Sequence, residues 1–514
     1  MKRNYFVFCL MALFGSLNMQ AYDFEANGIF YTVTDTATAS AQVAVAADTE
    51  TRYEGTVAIP ASVTYEGKTY SVTAIDEKAF YYCKGLTGVT IPESVKKIGA
   101  NAFRNCAALT SLALPAGVTS IGYSAFFGCS GLTAFTLPAG VTAIEPYTFF
   151  GCKRMASINL GGISKIGGSA FAGCAALTNV AIPANLGQIE SYTFQNCTGL
   201  TAVTIPAGIV NVGDAAFQGC TGLKSVTIPE GVEQIGRATF EGCTGLTSLA
   251  LPSTVKSLVG SSFGGCTSMT SISVAAGNPI YDSRNNCNAI IETYVVKKQS
   301  ETITNYKLVS GCQSTVIPDG VTEIGSYAFQ NCTGLTSIDI PTSVTVVGVG
   351  AFMNTGLTSV IVPESITEID EWCFANCDNL TTVTLPASTA KIQDYAFAVC
   401  PSLKDFHISA QKCPTGTNDI FYGTSIESAT LHVPEASIGA YTLVEPWNLF
   451  GAIVGGNGNQ VAPEKNVETA IATLEGTGKI QQVYNMSGMQ ESRLQRGINI
   501  VRMSDGTTRK VLVK

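Results

Sequence analysis

A phenylalanine, usually preceded by Ala or Thr, recurs at a nearly constant interval, and this repeat restricts the possible folds more than any other feature. Apart from one gap, successive copies are 22 or 23 residues apart. The gap, 66 residues from Phe263 to Phe329, equals three steps of 22, so the phase is kept across it. Such a period is typical of solenoids, in which each repeat is one coil stacked on the next. The recurring residues are Phe80, Phe103, Phe126, Phe149, Phe171, Phe194, Phe217, Phe240, Phe263, Phe329, Phe352, Phe374 and Phe397.

Each repeat has the apolar pattern of a coil with one short strand and a tight turn. Leu109, Leu112 and Leu114 are spaced as inward residues of a short strand, which ends at Pro115 because proline cannot donate to a strand ladder. Gly122 permits a turn, and the following Ala-Phe pair predicts a short helical or 3-10 turn. One coil cannot cover its own apolar groups, so burial requires stacking.

Twelve cysteines lie three residues after the phenylalanine of the same repeat. Stacked coils are about 4.8 Å apart, so the sulfurs would form a column just beneath the surface. A metal column, a disulfide ladder and a row of small buried apolar side chains all fit this pattern. We favour the last, because free cysteine is often buried and the coil of Phe352 has no cysteine there. The column contains Cys83, Cys106, Cys129, Cys152, Cys174, Cys197, Cys220, Cys243, Cys266, Cys332, Cys377 and Cys400.

The net charge limits the classes of binding partner that we expect, and the N-terminal sequence indicates the cellular location. Charged residues make up 13% of the chain and the net charge is −8, which disfavours nucleic acid and anionic membranes as partners. Met1-Lys2-Arg3, an apolar run and Ala21 predict a signal peptide over residues 1–21. No later stretch approaches the roughly 18 uncharged apolar residues of a membrane span. The sequence therefore predicts export without a membrane span.

The repeats resemble those of a known family. Units such as Ala216-Phe217-Gln218-Gly219-Cys220-Thr221-Gly222-Leu223, ending in Thr227-Ile228-Pro229, are similar to those of BspA-like leucine-rich repeat surface proteins, from about Tyr53 to Val454. The resemblance implies an α/β repeat solenoid, a right-handed stack of short strands and short helical or 3-10 turns between two caps. It also implies a secreted or cell-surface protein that adheres to an extracellular protein or glycan ligand through a solenoid face.

The flanking regions resemble family modules as well. We divide the chain into a signal peptide (1–21), an N-terminal β cap (22–75), a solenoid (76–410, with diverged coils at 264–328), a C-terminal cap repeat (411–454), a linker (455–475) and a β module (476–514). The last module resembles the C-terminal sorting module of type IX secretion. This resemblance implies that the secretion machinery is a partner, and that the protein is secreted or outer-membrane-associated in a Gram-negative bacterium.

The diverged coils are the most informative candidate binding site, because loops on a regular scaffold often carry binding residues. A variant coil with solvated charges is the alternative, and the sequence does not separate the two. An exported location would also let Cys287 and Cys312 form a disulfide, although Cys312 occupies a core leucine position. The candidate ligand-binding residues are Tyr281, Asp282, Arg284, Asn285, Tyr294, Lys297 and Lys298.

The remaining motifs do not support a catalytic site or a metal site. Residues 260–264 match the Gly-x-Ser-x-Gly elbow, but that motif needs a histidine partner, and His407 and His432 lie far along the chain. Cys373 and Cys377 have too few neighbouring ligands for a metal site, which favours a local disulfide or buried thiols. We therefore expect no enzyme activity, catalytic residue, cofactor or metal. Two functions remain open: adhesion or ligand binding, and a self-associating structural surface or matrix component.

Overall fold

A computed structural model describes residues 22–44, 53–298, 301–456, 460–461, 480–484, 490–491, 497–503 and 508–513. The predicted signal peptide and most of the predicted linker lie outside these residues. The described residues form two compact units, one within the ranges 1–304 and 308–315, the other within the ranges 305–307 and 316–514. In the described part, no helix is long and apolar enough to be a candidate membrane span.

The first unit opens with a β cap. Its strands are Phe24–Ala26, Ile29–Asp35, Ser40–Val43, Gly55–Ala58, Ser62–Tyr65 and Lys68–Ile75. Lys68–Ile75 pairs in parallel with Lys97–Ile98, and Gly55–Ala58 pairs in parallel with Leu86–Thr90. The cap thus continues both strand columns of the solenoid and covers the apolar end that the first coil would otherwise expose.

The coils of the first unit contribute strands to two columns. Between them, alternate side chains and the turns enclose the apolar core, in which Leu109, Phe126 and Leu223 are fully buried. One column contains Leu86–Thr90, Ala134–Phe135, Ser157–Ile158, Ala202–Thr204, Ser225–Thr227, Ser248–Leu251 and Ser271–Val274. The other contains Lys97–Ile98, Ser120–Ile121, Ala143–Ile144, Lys165–Ile166, Gln188–Ile189, Asn211–Val212, Gln234–Ile235 and Ser257–Leu258. Described neighbours pair in parallel, as in Ser248–Leu251 with Ser271–Val274, so the predicted solenoid is confirmed.

The second unit repeats this arrangement. One column contains Ser359–Ile361, Thr382–Leu385, Asp405–Ile408, Thr430–Val433 and Ala452–Gly455, followed by the antiparallel Gln460–Val461. The other contains Glu323–Ile324, Val346–Val347, Glu368–Ile369 and Lys391–Ile392. Near residue 480 the chain begins a separate antiparallel sheet of Gln490–Glu491, Ile480–Tyr484, Gly497–Met503 and Thr508–Val513, in that order.

The helical turn expected in every coil is largely absent. At the phenylalanine position of the described coils, Gly260–Phe263 and Asn418–Phe421 are 3-10 segments, and the other coils have turns. The reason is that the residues two before and two after the phenylalanine have positive φ, as at Asn101 (55°) and Asn105 (62°), which interrupts a right-handed helix. The remaining helices are Arg284–Asn286, Ile426–Ser428, Glu435–Ser437, Ile438–Tyr441 and Trp447–Leu449.

These left-handed residues direct backbone donors along the stack. The N–H groups of Asn101, Phe103 and Asn105 donate to carbonyls of the next coil at 2.9, 2.8 and 2.6 Å. The residues between them donate within their own coil, as Arg104 does to the Asn101 carbonyl at 3.1 Å. Successive N–H groups therefore donate alternately within their own coil and to the next coil. In this way the buried backbone donors of the turn are hydrogen-bonded.

The phenylalanines form a stack in each unit. Phe217 is fully buried, and its ring centroid lies 5.4 Å from those of both Phe194 and Phe240, with planes within 11° and 3°. In the second unit Phe352 and Phe374 are 5.3 Å apart. The rings thus occupy equivalent positions in successive coils, as the period predicts.

The described column cysteines are all buried. Most donate to the carbonyl of the phenylalanine one coil earlier, as Cys220 does to Phe194 at 3.1 Å. Burial raises the pKa of Cys220 to about 12, so the thiol stays protonated and able to donate. Thr424 takes the same position in its coil and donates its hydroxyl to the Phe397 carbonyl at 2.7 Å. The position therefore holds a small buried donor, and the structure shows no disulfide ladder in the described column.

Candidate binding surface

The coil pattern is interrupted in the first unit by a β-hairpin. Its strands, Ala289–Lys298 and Glu301–Gly311, have 10 and 11 residues, against two to five in the coils. They are neighbours in one sheet, and Ala289–Lys298 also pairs with Tyr281–Asp282 through Ile291 and Glu292. The predicted diverged coils therefore include a structure with its own strand pairing. Within it, Asn305–Lys307 belong to the second unit.

Burial falls steeply along the hairpin. Ile290 and Ile291 at its base are fully buried, whereas Val295, Val296 and Ile303 are 54%, 37% and 39% exposed. Val295 and Val296 are consecutive in a strand, so their side chains point to opposite faces. Since both are exposed, neither face of the distal half is covered by the first unit. We name residues 293–297 and 301–304 the hairpin surface.

The base of the hairpin is fixed by a polar cluster. Arg284 donates from Nε to Asp282 Oδ1 at 2.8 Å, and its terminal nitrogen also lies 3.4 Å from Thr293 Oγ1. Partial burial raises the pKa of Asp282, but the hydrogen bonds from Arg284 outweigh it and hold the pKa below its usual range. Ser283 accepts from the Val274 N–H at 3.0 Å. The cluster joins the regular coil to the first strand of the hairpin.

The structure separates the predicted ligand-binding residues into core, base and tip. Tyr281 is 4% exposed and its hydroxyl accepts from the Leu258 N–H at 3.1 Å, so it is a core residue and we remove it from the candidate surface. Asn285 is exposed with φ 57°, and Tyr294 is half-buried. Lys297 is exposed on the hairpin surface, whereas the side chain of Lys298 lies outside the described residues. Asp282 and Arg284 form an ion pair with each other at the base of the hairpin.

Cys287 and Cys312 are both free and buried, which corrects the predicted disulfide. The Cys312 thiol donates to the Asn288 carbonyl at 3.4 Å, and the Cys287 thiol to the Ala289 carbonyl at 3.7 Å. Each sulfur therefore has a backbone partner, and burial raises the pKa of both thiols. Cys312 is 1% exposed, as its core leucine position predicts.

A family model described as "BspA type Leucine rich repeat region" matches in six copies, over residues 73–201, 187–316 and 306–427. The chain belongs to this family. The matches include residues 289–311, so the hairpin lies within the BspA-type region.

Three solved structures are similar to this BspA-type chain. A leucine rich cell surface protein from Faecalibacterium prausnitzii is 26% identical, with 81% of this chain and 96% of that chain covered and a TM-score of 0.47. A leucine-rich repeat protein from Bacteroides ovatus is 26% identical over 75% and 94%, with a TM-score of 0.49. The leucine rich repeat protein of T. pallidum is 27% identical over 44% and 90%, with a TM-score of 0.30. No curated protein matches the chain.

The apparent catalytic motif is part of a BspA-type coil. Ser262 is fully buried, and its hydroxyl donates to the Gly236 carbonyl at 2.8 Å. Thr239, at the same position one coil earlier, donates to the same carbonyl at 2.8 Å. Ser262 is therefore a structural hydroxyl. Cys373 and Cys377 are likewise free and fully buried.

A second polar cluster lies on the last BspA-type coils. His407 and His432 are stacked with ring centroids 4.0 Å apart, and Asp405 Oδ1 lies 2.9 Å from His432 Nε2. These are the chain's two histidines, which we considered only as distant partners for the Ser262 motif. Their separation of 25 residues, close to one coil, is the sequence signal that could have placed them together.

Proposed function

We propose that this BspA-type protein is a secreted or surface-displayed adhesin that binds an extracellular protein or glycan ligand through the hairpin surface. The proposal depends on one observation: Val295, Val296 and Ile303 are exposed on both faces of a strand pair. Apolar groups clustered on a projecting element are typical of interaction sites. Export fits the predicted signal peptide and the β module that resembles a type IX sorting signal.

The coil faces offer less to a ligand. Their outward strand positions carry small neutral side chains such as Thr204, Ser225 and Ser248, all exposed. The hairpin surface combines exposed valine and isoleucine with threonine and Lys297, a set suited to an apolar contact with a polar rim. Pairing with Tyr281–Asp282 extends over Ile291 and Glu292, so the strand continues beyond that partner. A protein ligand can add a strand to such an edge.

We propose further that the protein has no enzyme activity. In the described residues, the serine of the apparent elbow motif donates to a backbone carbonyl and is buried. Catalysis needs titratable groups that converge on an accessible cleft. The thiols of the column are buried and hydrogen-bonded, as at Cys220, so they are not placed to act as nucleophiles.

The test is a binding screen of a chain of residues 22–514 against extracellular matrix proteins and surface glycans by biolayer interferometry. We expect saturable binding to at least one of them. The double variant Val295→Thr/Val296→Thr should weaken it by about tenfold to a hundredfold, since central apolar contacts contribute about 1–3 kcal/mol. The matched control is Ile361→Thr, because Ile361 is 70% exposed on a coil strand. The control should bind as the unchanged chain does.

Two outcomes contradict the proposal. An equal loss of binding affinity in the hairpin variant and in the Ile361 control would show that the binding site is not on the hairpin surface. Absence of binding to any probe, together with concentration-dependent assembly in analytical ultracentrifugation, would favour the structural surface or matrix component. In that case, loss of assembly in the hairpin variant would identify the strand pair as the self-association element.

A further inference from the structure

The fold brings the chain's two histidines face to face. His407 lies in the strand Asp405–Ile408 and His432 in Thr430–Val433, and the two residues are direct partners in the parallel register. Their strand neighbours Phe406 and Leu431 are fully buried. Because side chains alternate along a strand, both imidazoles lie on the outward face of the sheet. Their rings are 4.0 Å apart and within 14° of parallel.

Asp405 completes the cluster from the same face. It lies two residues before His407, so the two side chains share one side of the strand. Its Oδ1 is 2.9 Å from Nε2 of His432, on the neighbouring coil. One ligand atom from each of the three residues lies within 4.8 Å of the others. The side chains of His432 and Asp405 are 31% and 44% exposed, so they can reorient and water can reach them.

Two imidazole nitrogens and one carboxylate oxygen are a recognised donor set for transition metals. Zn²⁺ takes nitrogen ligands at about 2.0–2.1 Å and carboxylate oxygen at about 2.0–2.2 Å, usually with four ligands, of which water can be one. Ligand atoms around such an ion are about 3.3 Å apart. Because an imidazole nitrogen binds a metal in the plane of its ring, the two rings would turn out of their parallel stack to direct both nitrogens at one ion. Ca²⁺ and Mg²⁺ require oxygen ligands in larger number.

We propose that Asp405, His407 and His432 form a binding site for a divalent transition-metal ion of the Zn²⁺ class. The ion would link two neighbouring coils, because the ligands come from two adjacent strands. A ligand that binds only the folded chain stabilises it, so the ion would also raise the melting temperature. The site is independent of the proposed adhesive function, and its test needs no knowledge of the adhesion ligand.

The experiment is a calorimetric titration of a chain of residues 22–514 with Zn²⁺ near neutral pH. The chain carries Cys413→Ser and no polyhistidine tag, because Cys413 is the one described cysteine that is not buried. We expect one saturable Zn²⁺ site per chain and much weaker binding of Ca²⁺. His407→Gln and His432→Gln should each weaken Zn²⁺ binding at least about tenfold. Thr384→Ala is the matched control, since Thr384 lies in the preceding strand of the same sheet and is the register partner of His407.

A second measurement needs no ligand-removing variant. In protein labelled with ¹³C at histidine, the two imidazole signals of the whole chain should both shift with one equivalent of Zn²⁺. Absence of Zn²⁺ binding in the unsubstituted ligand set would overturn the proposal. So would undiminished binding in the double variant His407→Gln/His432→Gln. Binding of Ca²⁺ as tight as that of Zn²⁺ would overturn the assigned class of ion.

Discussion

Removal of one ring from the phenylalanine stack tests whether the coils are held together as the first unit indicates. Phe217 is fully buried, and its centroid is 5.4 Å from each of its two stacked neighbours. We expect Phe217→Ala to lower the free energy of unfolding by about 3–5 kcal/mol through lost burial and the cavity left behind. About 0.5–1.5 kcal/mol of this comes from each lost aromatic contact.

The matched control is Phe150→Ala. Phe150 stacks on Phe127 at 4.6 Å but is only half-buried, so most of the cavity cost is absent. The assay is urea unfolding followed by far-UV circular dichroism, because both tryptophans, Trp372 and Trp447, lie in the second unit. A loss below about 1.5 kcal/mol for Phe217→Ala, or one no larger than that of the control, would refute the reasoning.

Three further predictions concern the cysteine column and the turns. Ellman's reagent at pH 8 should modify at most Cys413 in the folded chain and all 16 described thiols after unfolding, because the other 15 are buried; fast reaction of several thiols in the folded chain would contradict the burial. Cys220→Thr should cost less than about 1.5 kcal/mol because its hydroxyl can still donate to Phe194, whereas Cys220→Leu should cost about 1–3 kcal/mol by overpacking; equal unfolding midpoints in urea would contradict this. Gly219→Ala should lower the melting temperature, since Gly219 has φ 71° and an added Cβ would lie 2.1 Å from Asn196 Oδ1; an unchanged scanning-calorimetry midpoint would show that the turn tolerates a side chain.

The sequence was sufficient to predict the solenoid, because the residues that determine stacking recur at a fixed period. The Phe217 position follows from spacing alone, and the burial of Cys312 follows from its offset before Pro318. The turn conformation was not accessible in the same way. Two residues before the phenylalanine, left-handed φ occurs at Asn101 but also at Tyr147 and Ala215, so no single residue type marks this position. The expected helix therefore failed for a reason that apolar spacing does not report.

The candidate sites depend on contacts that the repeat does not encode. The sequence located the variation in the diverged coils. Ala289–Lys298 and Glu301–Gly311 are neighbouring strands of one sheet, so the coil period could not predict which of their side chains are exposed. Tyr281 shows the difference: a polar aromatic in a variable segment is in the core because its hydroxyl accepts a backbone N–H. The 25-residue separation of His407 and His432 is close to one coil, but only the parallel register of their strands shows that the two imidazoles face each other.

The most direct test of adhesion through the hairpin surface is hydrogen–deuterium exchange by mass spectrometry, with and without the matrix protein or glycan that binds saturably. We predict slower exchange on binding in peptides that cover residues 293–297 and 301–304, with the coil strands such as Ser225–Thr227 unchanged. Protection confined to coil strands, with the hairpin surface exchanging as in the free chain, would contradict the account.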